Sequence, residues 1–126
     1  MTSGLNVGSI VDTCDNSGAK IVGVVGVYGH KTRKGRIQSA GVGDMIIISV
    51  KKGEIGIKKQ IFQAVIVRQR RPYRRPDGSR IKFEDNAVVI CKDEKGNPKG
   101  TMLKGAIAKE ACNKWPMIAK LARIIV

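Results

Sequence analysis

The sequence predicts an all-β domain: a small five-stranded antiparallel β-barrel with a projecting basic β-ribbon and short C-terminal helices. Three observations carry this: five short runs rich in Val and Ile, turn chemistry between them, and a tail with helical punctuation. The runs are GSIVDTCD from Gly8, AKIVGVVGVYG from Ala19, GDMIIISVKKG from Gly43, IFQAVIVRQR from Ile61 and NAVVICKD from Asn86. Between and after them lie Asp15-Asn16-Ser17-Gly18, the span Gly35 to Gly43, Gly53 to Gly56, Asp77-Gly78 and Lys95-Gly96-Asn97-Pro98. That spacing favours a barrel over alternating βαβ units.

A barrel also closes the edges of strands that are apolar at most positions, and the fifteen glycines suit its bends and bulges. From Ala106, AIAKEACNKW reads as a short helix, and Pro116 is placed to open a second, PMIAKLA. Neither is long enough to stand alone, so both are expected to pack against the barrel. With no repeat or linker, residues 1–126 read as one domain, the ribbon near 68–80 and the helical region near 106–122.

The charge narrows the function. Lys and Arg number 24 against 10 Asp and Glu, a formal net charge of +14 and a pI near 10.2, which points to a polyanionic partner. A membrane surface would call for a basic amphipathic helix or a long apolar span. Neither is present, since IVGVVGVYGH is interrupted by Gly23, Gly26 and Gly29, and MTSGLNVGSI lacks the pattern of a signal peptide. A cytoplasmic nucleic-acid binder is the expectation, with no membrane partner. Cys14, Cys91 and Cys112 are far apart and have only His30 for company, so they read as reduced, mostly buried thiols, with no metal site and no cofactor.

The densest signal is RQRRPYRRPDGSR, where six of the nine arginines fall between Arg68 and Arg80. An arginine fork holds a phosphate through two hydrogen bonds and stacks on bases, whereas a lysine presents a mobile point charge. Asp77-Gly78 marks a hairpin, so Arg68, Arg70, Arg71, Arg74, Arg75 and Arg80 line a ribbon stiffened by Pro72 and Pro76, with Tyr73 available to stack. A solvated loop is the bland alternative, and six cations in thirteen residues outweigh it. HKTRKGR adds Lys31, Arg33, Lys34 and Arg36 after the second strand. KKGEIGIKK adds Lys51, Lys52, Lys58 and Lys59 after the third. All lie at strand ends, where a barrel can gather them onto neighbouring surfaces.

Catalysis finds little support. His30 has no nucleophile beside it, and Glu84 and Asp85, adjacent on an extended chain, point to opposite faces, which suits a cap, a turn or a salt bridge to a nearby arginine. The glycine clusters lack the spacing of a phosphate loop. No enzymatic activity is expected.

At Ala64 to Ile90, AVIVRQRRPYRRPDGSRIKFEDNAVVI resembles the signature of the large-subunit ribosomal protein 14 family. A small residue and three aliphatics (Ala64 to Val67) are followed at fixed spacing by Asp77-Gly78, the aromatic Phe83, Asn86, Val89 and Ile90. DNSGAK, AGVGDMIIISVKKG and GNPKGTMLKGAIAKE resemble further blocks of that family in the same order, and the ending ACNKWPMIAKLA is closer to its archaeal and eukaryotic branch. The short N-terminus suggests an archaeal chain.

The resemblance implies a barrel that binds large-subunit ribosomal RNA at the face meeting the small subunit. It also implies an intersubunit bridge to small-subunit RNA, contact with a neighbouring large-subunit protein of the third family, and a C-terminal docking site for an anti-association initiation factor. Carried onto this sequence, the six ribbon arginines with Lys51 and Lys52 are expected to meet RNA, and Thr101, Met102, Lys104 and Lys114 match the region of bridge or factor contacts. Bacterial members often carry an arginine where this chain has Met102, so an apolar factor contact is expected there rather than a charged one. The competing expectation is a free-standing barrel that binds single-stranded nucleic acid on exposed aromatics.

Overall fold

A computed structural model describes residues 4–28, 39–53, 56, 58–93 and 95–126. Its strands are β1 (Leu5–Asn6), β2 (Ile10–Thr13), β3 (Ala19–Val27), β4 (Ser39–Ala40), β5 (Met45–Gly53), β6 (Ile61–Arg68), β7 (Tyr73–Arg74), β8 (Arg80–Ile81), β9 (Ala87–Cys91) and β10 (Ala106–Ile107). Two helices follow, α1 (Lys109–Lys114) and α2 (Pro116–Leu121), and then β11 (Ile124–Ile125). The five runs expected from the sequence become β2, β3, β5, β6 and β9, and these close a barrel in that order. No helix among the described residues is long and apolar enough to cross a membrane.

Four of the barrel's interfaces are antiparallel, as expected. The seam between β2 and β9 is the one parallel pair of the ring, with Asp12 opposite Ala87 and Thr13 opposite Val88. The reason is parity: strands that alternate up and down around a ring of odd number must leave one pair pointing the same way. Asp15, just past β2, braces that seam. It is buried, and its carboxylate accepts from the Ile90 amide at 3.0 Å and the Ser17 hydroxyl at 2.8 Å. Burial raises its pKa above the ordinary 3.8.

The barrel is filled by alternate side chains: Val22 and Val24 from β3, Ile46, Ile48 and Val50 from β5, Ala64 and Ile66 from β6, Val88 and Ile90 from β9. All of β9 is nonetheless buried, because residues on its outer face are covered too. The C-terminal region supplies a cover: α1 and β10 both pack on β6, and the Ala108 amide donates to Val67 O at 3.1 Å. The stretch from Ala106 therefore departs from a helix over its first residues. Ala106 and Ile107 pair in parallel with Ile124 and Ile125, which buries Ile107, and helical turns begin only at Lys109. Pro116 stands at the start of α2, as expected from its missing amide and preset φ.

Cys14, Cys91 and Cys112 are free and buried. Burial pushes the Cys14 and Cys91 thiols up to about 12 from an ordinary 9.0. An unfolded chain ionises these thiols from 9.0 upward while the fold holds them neutral, so their contribution to stability is intact below pH 9.0 and is lost as pH rises toward about 12. Denaturant midpoints of the wild type are expected to fall over that interval more steeply than those of a Cys14→Ala, Cys91→Ala variant. At neutral pH, a disulfide reagent is expected to label neither thiol until the protein is unfolded. Rapid labelling in the native state would show that these sites are open.

Candidate nucleic-acid interface

The arginine segment starts where β6 leaves the barrel. Gln69, fully buried, joins it to the β4–β5 connection: its Oε1 accepts from the Val42 amide at 3.1 Å and its Nε2 donates to Arg71 O at 2.9 Å. The hairpin itself is short, with Tyr73 opposite Ile81 and Arg74 opposite Arg80. Its turn follows the expected chemistry. Gly78 takes φ +93, the Ser79 amide and hydroxyl both donate to Asp77 Oδ1, and these bonds hold the Asp77 carboxyl below its ordinary range.

The base of the ribbon is docked rather than free. Tyr73, expected to stack on a base, is 1% exposed, and burial raises its phenol pKa; its hydroxyl meets Glu110 Oε2 on α1 at 3.4 Å. This corrects its assignment as a stacking residue, because the ring is spent in packing. Arg75 donates through Nε to Glu110 Oε1 at 2.8 Å and through a terminal nitrogen to Val126 O at 2.6 Å. Arg68 is likewise turned inward. One terminal nitrogen approaches Lys104 O at 3.3 Å and Ala106 O at 3.4 Å, and the other donates to Asp85 Oδ2 at 3.3 Å. Its Nε faces Asp85 Oδ1 at 3.2 Å without hydrogen-bond alignment. Asp85 thus makes the salt bridge expected of the Glu84-Asp85 pair.

Arg70, Arg71, Arg74 and Arg80 remain exposed. Arg70 lies beside Asn86, whose side chain accepts from the Arg70 amide at 2.8 Å. Arg74 and Arg80 face one another across the hairpin, and neither pairs with a carboxylate among the described residues. Like charges directly opposite are unfavourable in a two-stranded ladder unless an anion lies between or beside them.

Lys51, Lys52, Lys58 and Lys59 are exposed at the far end of β5 and the approach to β6. Of the patches that a barrel can gather onto neighbouring surfaces, this one and the ribbon stand apart. Lys59 and Val50 are hydrogen-bonded at one end of β6, Arg68 ends the other, and the rise of seven residues puts the ends about 23 Å apart. Lys31, Arg33, Lys34 and Arg36 lie outside the described residues. Lys20, a cation at the start of β3 that the sequence reading does not assign to RNA, is set beside Lys51 and Lys52 by the β3–β5 register.

The residues assigned to bridge or factor contacts divide in the same way. Thr101 and Met102 are exposed on a loop pinned to the end of β2, where Asn16 Oδ1 accepts both their amides at 2.8 and 3.2 Å and Asn16 Nδ2 donates to Thr101 Oγ1 at 2.9 Å. The exposed Lys104 follows, its amide donating to Cys14 O at 2.6 Å. Lys114 instead reaches Asp44 at 3.9 Å, before β5, beside a Trp115 whose indole donates to Gly43 O at 2.8 Å. None of the five aromatics is exposed, so stacking of single-stranded bases has no platform here.

No group of three or more His, Cys, Asp or Glu is placed to hold a metal among the described residues, and near the arginines Asp85 and Glu110 are engaged in salt bridges and Asp77 in the turn. The class is that of a strongly basic five-stranded barrel that presents cations on its surface. The profile of the family described as Ribosomal protein L14p/L23e matches residues 4–126. The large ribosomal subunit protein uL14 of Pyrobaculum aerophilum is 55% identical over 128 residues, covering 100% of this chain and 88% of that protein. The proteins of the same description from Nanoarchaeum equitans, 52% identical over 97% of this chain and 92% of its own length, and Saccharolobus solfataricus, 51% over 100% and 91%, are similarly close.

The chain belongs to the Ribosomal protein L14p/L23e family, and the archaeal relatives agree with the branch its C-terminal pattern resembles. It is a structural, non-enzymatic constituent of the large ribosomal subunit, cytoplasmic in the ribosome, in association with ribosomal RNA and other proteins of that subunit.

The inward arginines generate a clear expectation. Arg75→Ala removes two charge-assisted contacts from a largely buried position and is expected to destabilise the isolated protein by about 1–3 kcal/mol in denaturant unfolding. The salt dependence of RNA binding by the folded variant should be unchanged. A reduced salt slope with unaltered stability would place Arg75 in the interface instead.

Proposed function

We propose that the chain binds large-subunit ribosomal RNA through the exposed arginines of its ribbon, on the face that meets the small subunit. One observation carries this: Arg74 and Arg80 are held directly opposite one another, exposed, with no carboxylate partner among the described residues. A phosphate backbone relieves that repulsion. Double-stranded RNA is recognised mainly through shape and phosphate contacts, since its deep groove hides the bases, and arginine forks suit that role. Arg70 extends the same contact, while Arg68 and Arg75 hold the ribbon in place.

The same reading gives the chain a part in an intersubunit bridge with small-subunit RNA and a contact with the neighbouring third-family protein. The C-terminal surface supports a protein partner, the anti-association initiation factor. Met117, Ile124 and Ile125 are exposed there, at 41%, 56% and 51%, beyond α1 and its ribbon contact. Met102, 44% exposed, adds an apolar contact on the Asn16-pinned loop.

An Arg70→Ala, Arg74→Ala, Arg80→Ala variant is expected to bind large-subunit ribosomal RNA more weakly. The slope of log affinity against log salt should fall by about two to three, at roughly 0.7–0.9 per phosphate contact. An unchanged slope would remove the ribbon from the RNA interface. Ile124→Asp is expected to leave that slope intact and to reduce co-sedimentation of the purified anti-association factor with the large subunit. Full retention of the factor would exclude this surface.

A further inference from the structure

We propose that Asp77 is a latent modification site: the Asp77-Gly78 step at the ribbon turn converts to isoaspartate when the turn opens, and Ser79 is the positioning residue that keeps it closed. The sequence holds one Asp-Gly step and no Asn-Gly step, and that one lies in the arginine ribbon. In such a step the missing side chain of the second residue lets its amide nitrogen approach the carboxyl of the first. The Gly78 nitrogen bonds to Asp77 Cγ and gives up its proton, and a carboxyl oxygen leaves as water, which closes a five-membered succinimide. One water then adds across the ring. Opening at Cγ restores aspartate, whereas opening at the Asp77 backbone carbonyl carries the chain on through Cγ, with one extra methylene in the backbone. Water lost and water gained balance, and no other reactant is needed.

The closed turn restrains both partners in that bond. The Gly78 amide donates to Arg75 O at 2.9 Å, and the Arg75 amide donates to Ser79 O at 2.8 Å. With Pro76 at the second position and Gly78 at φ +93, this is a type I turn followed by a left-handed residue. Asp77 then holds the compact third position of the turn, while ring closure needs its ψ rotated until the Gly78 nitrogen faces Cγ. Its Oδ1 accepts from the Ser79 amide at 2.9 Å and the Ser79 hydroxyl at 2.6 Å, which holds the carboxylate against Ser79. The same bonds lower the carboxyl pKa. An ionised carboxylate does not release water, so the reactive neutral form is scarcer in the fold than in an open chain.

This restraint is local. Asp77, Gly78 and Ser79 are exposed, and the hairpin below them has two cross-strand pairs, one of which sets Arg74 against Arg80. Such a turn opens without unfolding the barrel. An added backbone methylene shifts the pairing of Arg74 with Arg80, so the isomerised ribbon loses its grip on RNA. That consequence rests on the RNA-binding reading above; the isomerisation does not.

The test ages the full chain in warm neutral buffer and follows isoaspartate at Asp77 by electron-transfer fragmentation of the peptide that carries it, since the mass is unchanged. The urea-unfolded chain is expected to isomerise at least about tenfold faster than the native one. Native Ser79→Ala is expected to exceed native wild type by about threefold to tenfold, the rise in the open population that loss of one hydrogen bond allows. Equal rates in native and unfolded wild type overturn the protection. Ser79→Ala at the wild-type rate, or a rise of the same size in the unfolded chain, overturns Ser79 as the positioning residue. Thermal unfolding of the two proteins should coincide; a rise matched by an equal loss of barrel stability would also remove Ser79 from that role. Aged wild type is then passed over in vitro transcribed large-subunit ribosomal RNA, and isomerised chains should be depleted from the bound fraction. Equal isoaspartate in bound and unbound chains overturns the consequence for RNA alone. Failure of fresh wild type to bind overturns the RNA-binding reading and leaves the isomerisation rates standing.

Discussion

Closure of five strands into one barrel is the constraint on which the other features depend. An odd ring cannot alternate throughout, so β2 and β9 run parallel, and a parallel seam cannot be joined by a tight turn. The chain must travel between them by way of β3, β5, β6 and the arginine hairpin. Closure also removes sheet edges, which lets all five positions of β9 be apolar and buried without inviting another chain to pair there. Asp15 shows how strict the seam is: its carboxylate is taken out of water, which raises its pKa, to satisfy the Ile90 amide, while its backbone bridges to Leu103 next to the loop that carries Thr101 and Met102.

Electrostatics in this protein divides the cations into two kinds. Arg68 and Arg75 face carboxylates and carbonyls, where a planar fork with several donors joins chain segments far apart in sequence. Arg70, Arg74 and Arg80 on the ribbon, and the lysines at the other end, have no carboxylate partner among the described residues. The inward pair makes the outward group useful. Without Arg75 on Glu110 and Tyr73 packed beneath, two cross-strand pairs would be too little ladder to hold a hairpin against its own charge.

Much of the fold was legible because it rests on local chemistry. Apolar runs and turn residues located all five barrel strands, Asp77-Gly78 marked the hairpin, and Pro116 marked the start of α2. The family pattern from Ala64 to Ile90 was legible for the same reason, being a matter of order and spacing. Tyr73 was misjudged because burial is not a local property: an aromatic among arginines looks available until α1 is known to lie against it. The stretch from Ala106 looked helical by composition, but pairing with Ile124 and Ile125 outweighs propensity where β10 lies against β6.

By itself, the sequence determined the strands, the turns, the excess of positive charge and the family, since each follows from residue type and spacing along the chain. Only the tertiary structure decided which cations face outward, that the basic patches stand at opposite ends of β6, and that Lys20 joins Lys51 through consecutive bulges. Those depend on strand register and on partners as remote as Glu110 from Arg75 or Asn16 from Thr101. A slip of one residue in pairing would turn each side chain to the other face while leaving composition and spacing unaltered.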